Sequence, residues 1–223
     1  MAKTPDYQAA VVHLKSSDAK LRKLIEKVGE PAIKLRHSHT IFYALMRAII
    51  YQQLAGAAAS AITGRVEALA DGYEMTPEQL LSLPDERLRG AGLSKNKMAA
   101  LRDLAAKVLD GTVPTAREMS RMDEEKIIER VTQVRGIGRW TVEMLLIFRL
   151  GKMDILPLDD FGVRKGFQKA YKLKDMPTKK ELAARGARWS PWRSVASWYL
   201  WRSCEMKDAK PAKAKKAAKV LTS

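Results

Sequence analysis

Cysteine is nearly missing: Cys204 is the one thiol among 223 residues. It closes no internal disulfide, and it cannot supply a zinc finger or a cysteine-bound iron–sulfur cluster. A single thiol fits a reducing compartment. There is no run of about eighteen apolar residues, so no membrane span is expected. The opening Met1-Ala2-Lys3-Thr4-Pro5 lacks the apolar stretch of a secretory signal. Strand-length alternation is missing, and no segment repeats at a period of about 20–50 residues. The histidines are few: His13, His37 and His39 lack ligand spacing and read as surface or capping residues. Negative charge is scarce too. Against 41 Lys and Arg stand 25 Asp and Glu, leaving +16 at pH 7. That imbalance favours a polyanionic partner, nucleic acid foremost.

What is present is helical periodicity. Residues 6–29 carry apolar side chains at helical spacing, with Asp18 as a cap. From Thr40 to Leu54 runs a helix apolar on most faces, the expected core helix. The small residues Ala57 to Ala61 suggest a close packing seam. Thr76-Pro77-Glu78-Gln79 opens short helices at about 77–83 and 85–90, and another helix covers about 95–109. Asp123 opens the next. Asp154 to Leu158 is extended, because residues before proline avoid the α region. Helices then start at Asp159 or Asp160, at Thr178 and at Ser190-Pro191-Trp192. The prediction is an all-α protein over residues 1–206, as one large domain or as two lobes, the two-lobed form being the one that the resemblance described below implies. The remaining stretch, 207–223, holds six lysines and one aspartate. It is predicted to be a disordered basic tail, either solubilising or DNA-binding.

The most informative segment is Val134-Arg135-Gly136-Ile137-Gly138-Arg139-Trp140-Thr141. Glycines around one apolar residue make a tight turn between helical runs. The helix after the turn begins with unpaired N–H groups and a positive dipole end, which suits a phosphate. Taken alone, Asp159 and Asp160 read equally as N-caps, Trp140 as helix packing and Leu54 as a core leucine.

The turn, Ile49-Ile50-Tyr51-Gln52-Gln53-Leu54, Leu156-Pro157-Leu158-Asp159-Asp160, and Trp189 to Ser194 through Trp201 occur in one order. Together they resemble the helix-hairpin-helix DNA glycosylase superfamily, in particular its DNA-3-methyladenine glycosylase II type. The resemblance covers about 38–205, with the helix-hairpin-helix at about 123–150. Nothing here resembles the amino-terminal β-rich domain of those relatives, so a compact all-helical form is expected.

The resemblance implies a role for each match. Asp160 is the catalytic carboxylate, stabilising positive charge at the sugar and orienting water. Asp159 caps the helix or meets other backbone. Trp140 stands where the bifunctional glycosylase/lyases carry a Schiff-base lysine, which implies hydrolysis without lyase activity. Trp140 and Trp201 face the flipped base, with Met144 and Phe161 beside them and Trp198 and Tyr199 as further candidates. Trp189 and Trp192 pack the last helix. Leu54, with Gln53, is the DNA wedge. Gly136, Gly138, Arg135, Arg139 and Thr141 meet the DNA backbone, although the family commonly has proline where Arg135 stands. Apart from the resemblance, Lys95, Lys97 and Arg164 read either as phosphate contacts or, each by itself, as solvated surface charges, as does Arg139. Main-chain carbonyls of Thr132, Val134 and Ile137 hold a structural Na+ or K+, and no cofactor is required.

The implied function is a monofunctional glycosylase removing alkylated purines, 3-methyladenine and 7-methylguanine, by base flipping. It would act as a monomer on damaged double-stranded DNA, in the nucleoid-bearing cytoplasm if bacterial. The alternatives are a glycosylase of the same fold for another lesion and a non-enzymatic DNA-binding module.

Overall fold

The computed structural model describes residues 6–35, 39–72 and 74–206. The expected disordered tail therefore lies outside the described residues. Within them the chain is helical and no strand occurs. The helices are α1 (Tyr7–Ser17), α2 (Ala19–Val28), α3 (Ile41–Tyr51), α4 (Gly56–Glu67), α5 (Pro77–Ser82), α6 (Asp85–Gly90) and α7 (Lys95–Leu109). After them come α8 (Ala116–Met119), α9 (Glu124–Val131), α10 (Arg139–Phe148), α11 (Phe161–Tyr171), α12 (Lys179–Gly186) and α13 (Arg193–Glu205). A 3-10 turn, Ala187–Trp189, precedes α13. Neither α8 nor that turn is visible as periodicity, because one helical turn has no repeat to read.

Local capping explains most boundaries. Thr40, Thr76, Ser94, Asp123, Asp160 and Thr178 each accept a backbone N–H at the start of a helix. Thr76 with Gln79, Thr115 with Glu118 and Thr178 with Glu181 form capping boxes.

Two hydrophobic clusters define two lobes. The first takes its buried residues from Ile41 to Ile155 and centres on α3, whose Leu45, Met46, Ile49 and Ile50 are sealed from solvent. The second joins α1 and α2 to α11, α12 and α13. The chain thus begins in the second lobe, builds the first and returns. Trp201 packs against both clusters.

Asp18 ties the two ends of the second lobe. Its carboxylate caps α2, accepts the Tyr171 hydroxyl at 2.5 Å and the Trp189 indole N–H at 3.3 Å, and lies 3.8 Å from Arg185. Burial pushes Asp18 up, but these hydrogen bonds outweigh it and hold the group below its ordinary value.

The expected seam at Ala57–Ala61 is not one. Only Ala59 of that run is buried, because α4 turns a narrow stripe of Ala59, Thr63 and Val66 inward. The close approach lies instead between α11 and α13. A Cβ on Gly166 would stand 1.8 Å from the Leu200 carbonyl oxygen, and one on Gly162 would stand 2.8 Å from the Trp201 ring.

Candidate active site

Asp160 is the residue before α11 and its N-cap. Its Oδ1 accepts the Val163 N–H at 2.7 Å, as a cap must. The same oxygen accepts the Trp201 indole N–H at 2.8 Å, and Oδ2 accepts that of Trp140 at 2.7 Å. The carboxylate is 8 % exposed. Three elements meet on it: α10 through Trp140, α11 through the cap, and α13 through Trp201. Gly162 keeps α11 bare where the Trp201 ring approaches. Asp159 does not share the cap. It points outward and pairs with Lys179, because only the residue directly before the first helical turn reaches the free N–H groups.

A cavity of about 530 Å³ opens beside Trp140 between α3 and α10. Its lining includes Tyr43, Arg47 and Tyr51 from one helix and Trp140, Met144 and Phe148 from the other. A second, more open hollow adjoins it and is lined by Trp198 and Trp201. The volume suits one nucleobase with room for water. Trp140 is half-exposed and presents a free face.

Several expected pocket residues lie elsewhere. Phe161 is 68 % exposed and lines neither hollow, since the first position of α11 faces solvent. Tyr199 is fully buried in the second core, where its hydroxyl donates to the Gly29 carbonyl at 2.8 Å. Thr141, expected on the DNA backbone, lines the cavity. His39, expected at the surface, is partly buried, stacks on Tyr43 at 4.3 Å and bonds Glu74 at 2.5 Å. The stripe Tyr43, Arg47, Tyr51 escaped sequence reasoning. Its signal is there: a polar or phenolic side chain every fourth residue of an otherwise apolar helix.

The turn after α3 carries the expected wedge. Gln53 has φ +59°, which swings the chain sharply, and Leu54 is exposed rather than part of the core. Gln52 donates its side-chain amide to the Gly136 carbonyl at 2.8 Å, so the turn is fastened to the hairpin. Lys97 does not face a phosphate path. Its ammonium donates to the carbonyls of Ile50 at 2.6 Å and Gln52 at 2.9 Å, closing the end of α3.

In the hairpin Gly136 has φ +79°, a conformation that favours glycine. Gly138 does not, with φ −96° and no atom within 4 Å of an added Cβ. Nothing inside the protein requires glycine there; only an approaching partner would. Arg135 finds its explanation in its backbone. Its N–H donates to the Asp103 carboxylate at 2.7 Å, a bond proline cannot make. Lys107 pairs with Asp103 and also donates to the Gln133 carbonyl at 2.7 Å. Burial pushes Asp103 up, yet these bonds hold it below its ordinary value.

Arg139 is not a free cation. Its guanidinium meets Glu125 at 2.5 Å and Glu143 at 3.0 Å. Burial raises Glu143 to about 7 in spite of that partner. Arg164 donates to the Pro177 carbonyl rather than facing outward. Lys95 is exposed. The Val134 carbonyl accepts the Ile137 N–H at 3.0 Å, a bond that uses one of its two lone pairs. Among the described residues no side-chain cluster suits a metal ion, and no helix is long and apolar enough to cross a membrane.

The model of the HhH-GPD superfamily base excision DNA repair protein matches residues 46–191. DNA-3-methyladenine glycosylase 1 of Schizosaccharomyces pombe is 36 % identical over 211 residues, covering 93 % of this chain and 92 % of the relative. The solved structure of a Bacillus halodurans DNA-3-methyladenine glycosidase superposes with TM-score 0.82 at 36 % identity, covering 91 % of this chain and 90 % of the other. That of the S. pombe 3-methyladenine DNA glycosylase in complex with abasic DNA gives TM-score 0.77 at 35 % identity, covering 91 % and 99 %.

Proposed function

The chain belongs to the HhH-GPD superfamily of base excision DNA repair proteins, and from that premise we propose a monofunctional DNA glycosylase that removes alkylated purines. 3-Methyladenine and 7-methylguanine are its type substrates. The observation that carries the reading is the Asp160 carboxylate, held by the indole N–H of Trp140, which lines a base-sized cavity, and by that of Trp201, which lines the adjoining hollow.

The hairpin offers its free N–H groups to a DNA phosphate, and Gly138 leaves room for close approach. Leu54 fills the gap left by the flipped nucleotide, with Gln53 setting its direction. The base enters beside Trp140 and Met144. An alkylated purine is cationic, and the indole face attracts it. The C1′–N bond then breaks with its electron pair going to the base, which leaves neutral. Positive charge gathers on the sugar in front of Asp160. A water oxygen bonds C1′, and its proton passes to Oδ2, which holds only one hydrogen bond and has a lone pair free. The product is an abasic site. Trp140 stands where a Schiff-base lysine would be needed for strand cleavage, and an indole is no such nucleophile.

Carbonyls of Thr132, Val134 and Ile137 would hold a monovalent cation bridging the hairpin to a phosphate; the spare lone pair on Val134 supports this. Such an ion supplies charge at the grip and takes no part in bond breaking. Action as a monomer is part of this proposal. A protein acting on chromosomal DNA works where that DNA lies, which is the cytoplasm if the cell is bacterial.

The test is release of base from a duplex oligonucleotide carrying 7-methylguanine. Asp160→Asn keeps the cap acceptor but loses the charge, and should slow release by about a hundredfold or more. Full excision by folded Asp160→Asn would defeat the proposal. So would strand nicking without alkali together with a borohydride-trapped adduct.

A further inference from the structure

One face of α7 runs behind both turns that the proposed reaction sets against DNA. Lys97, Ala100, Asp103 and Lys107 stand three or four residues apart and so share that face. Lys97 reaches the turn after α3 and donates to the carbonyls of Ile50 at 2.6 Å and Gln52 at 2.9 Å. Asp103 accepts the Arg135 N–H at 2.7 Å, and Lys107 donates to the Gln133 carbonyl at 2.7 Å. Between them, a Cβ on Gly136 would meet Ala100 at 3.7 Å. A cross-tie closes the frame: the Gln52 side-chain amide donates to the Gly136 carbonyl at 2.8 Å.

A lysine at the end of a helix is ordinary, because its ammonium satisfies carbonyls that the helix leaves free. This one holds more than a helix end, since the Gln52 carbonyl already belongs to the turn. Gln53 follows with φ +59°, and the Leu54 N–H donates to the Tyr51 carbonyl at 3.3 Å. Leu54 itself is exposed, so packing does not fix its direction; the backbone of the turn does. A wedge keeps a nucleotide out of its stack only if it does not yield when the nucleotide pushes back. It must also meet the duplex at a set distance from the phosphate that the hairpin holds. A single helix bonded to both turns meets the two demands together.

Resting on the glycosylase reading and on Leu54 as its wedge, we propose that α7 braces wedge and hairpin at a fixed separation, with Lys97 the positioning residue for base flipping. Lys97 touches neither base nor phosphate in this role. It acts through Leu54, and Gln52 carries the same constraint across to the hairpin.

The experiment is a double-mutant cycle read as single-turnover release of 7-methylguanine from a duplex. Wild type, Lys97→Met, Leu54→Ala and the double variant are compared after thermal melts show which are folded. Lys97→Met should slow release by about tenfold to a hundredfold. In the Leu54→Ala background the same change should cost less than about twofold, since the side chain that Lys97 aims is gone. Lys97→Arg can still donate to the carbonyls and should recover much of the rate. Gln52→Ala cuts the tie to the hairpin and should depend on Leu54 in the same way; it decides the matter if Lys97→Met does not fold. The inference fails if the loss from either change multiplies with that of Leu54→Ala, as a general loss of packing would. It fails equally if folded Lys97→Met, or Leu54→Ala, keeps the wild-type rate. Wild type releasing no base would defeat the glycosylase reading itself.

Discussion

At the scale of single residues, Asp160 closes a helix with the same carboxylate that the proposed reaction would use. Oδ1 closes the helix and fixes the plane of the group, while Oδ2 holds the Trp140 indole N–H. The two tryptophans orient this carboxylate through their indole N–H groups. Trp201→Phe keeps an aromatic ring and removes one donor to a charged acceptor, worth about 1.5–3 kcal/mol. Single-turnover excision should fall about tenfold or more by that arithmetic, with affinity for undamaged DNA retained. An unchanged rate would show that the hydrogen bond does not aim the group. Arg135 allows a second test. Arg135→Pro removes the N–H that Asp103 accepts and should lower stability by about 1–3 kcal/mol. In an Asp103→Ala background the same change should cost less, a coupling that urea denaturation of the double-mutant cycle measures. Additive losses would rule that bond out as the reason for arginine.

At the scale of elements, two glycines separate structural from functional demand. A methyl group on Gly166 would enter the Leu200 backbone, so α11 and α13 must part to admit it. Gly166→Ala should destabilise by about 3 kcal/mol or more. Gly138→Ala meets nothing and needs no strained φ, so its melting temperature should match wild type while DNA affinity drops. Equal melting losses in the two variants would contradict this assignment. Helix boundaries were legible in the sequence because their signals are local: Thr40, Ser94, Asp123 and Thr178 each announce a start within three residues. Contacts across the fold were not. Nothing near Arg135 reveals Asp103, and nothing near Lys97 shows that it closes α3. The small residues of α4 looked like a seam, whereas the working seam needed only Gly162 and Gly166.

At the scale of the whole molecule, the two-lobed all-α architecture was readable from helical periodicity and ordered motifs. The return of the N-terminal helices to the C-terminal ones was not, since an amphipathic face does not name its partner. Asp18 is where that return is fastened. Asp18→Ala would leave the Tyr171 hydroxyl, the Trp189 N–H and the α2 cap unpaired, at about 3 kcal/mol or more. The pH dependence follows from the lowered value of the folded group. Its contribution is present above the unfolded carboxylate value of about 3.9 and is lost as pH falls through the lower folded value. Melting temperatures between neutral and acid pH should therefore drop less steeply in the variant. Parallel curves would remove Asp18 from the acid limb.

The double packing of Trp201 has a consequence for the order in which this protein becomes competent. During synthesis the first lobe, with its hairpin and wedge, leaves the ribosome complete. Asp160 emerges soon after but lacks one of its donors until α13 docks, nearly the last described helix residue to arrive. A nascent or C-terminally clipped chain would thus carry the hairpin with Asp160 short of the Trp201 donor. On the reading proposed above, the ability to cut a glycosidic bond would be withheld until the molecule is whole.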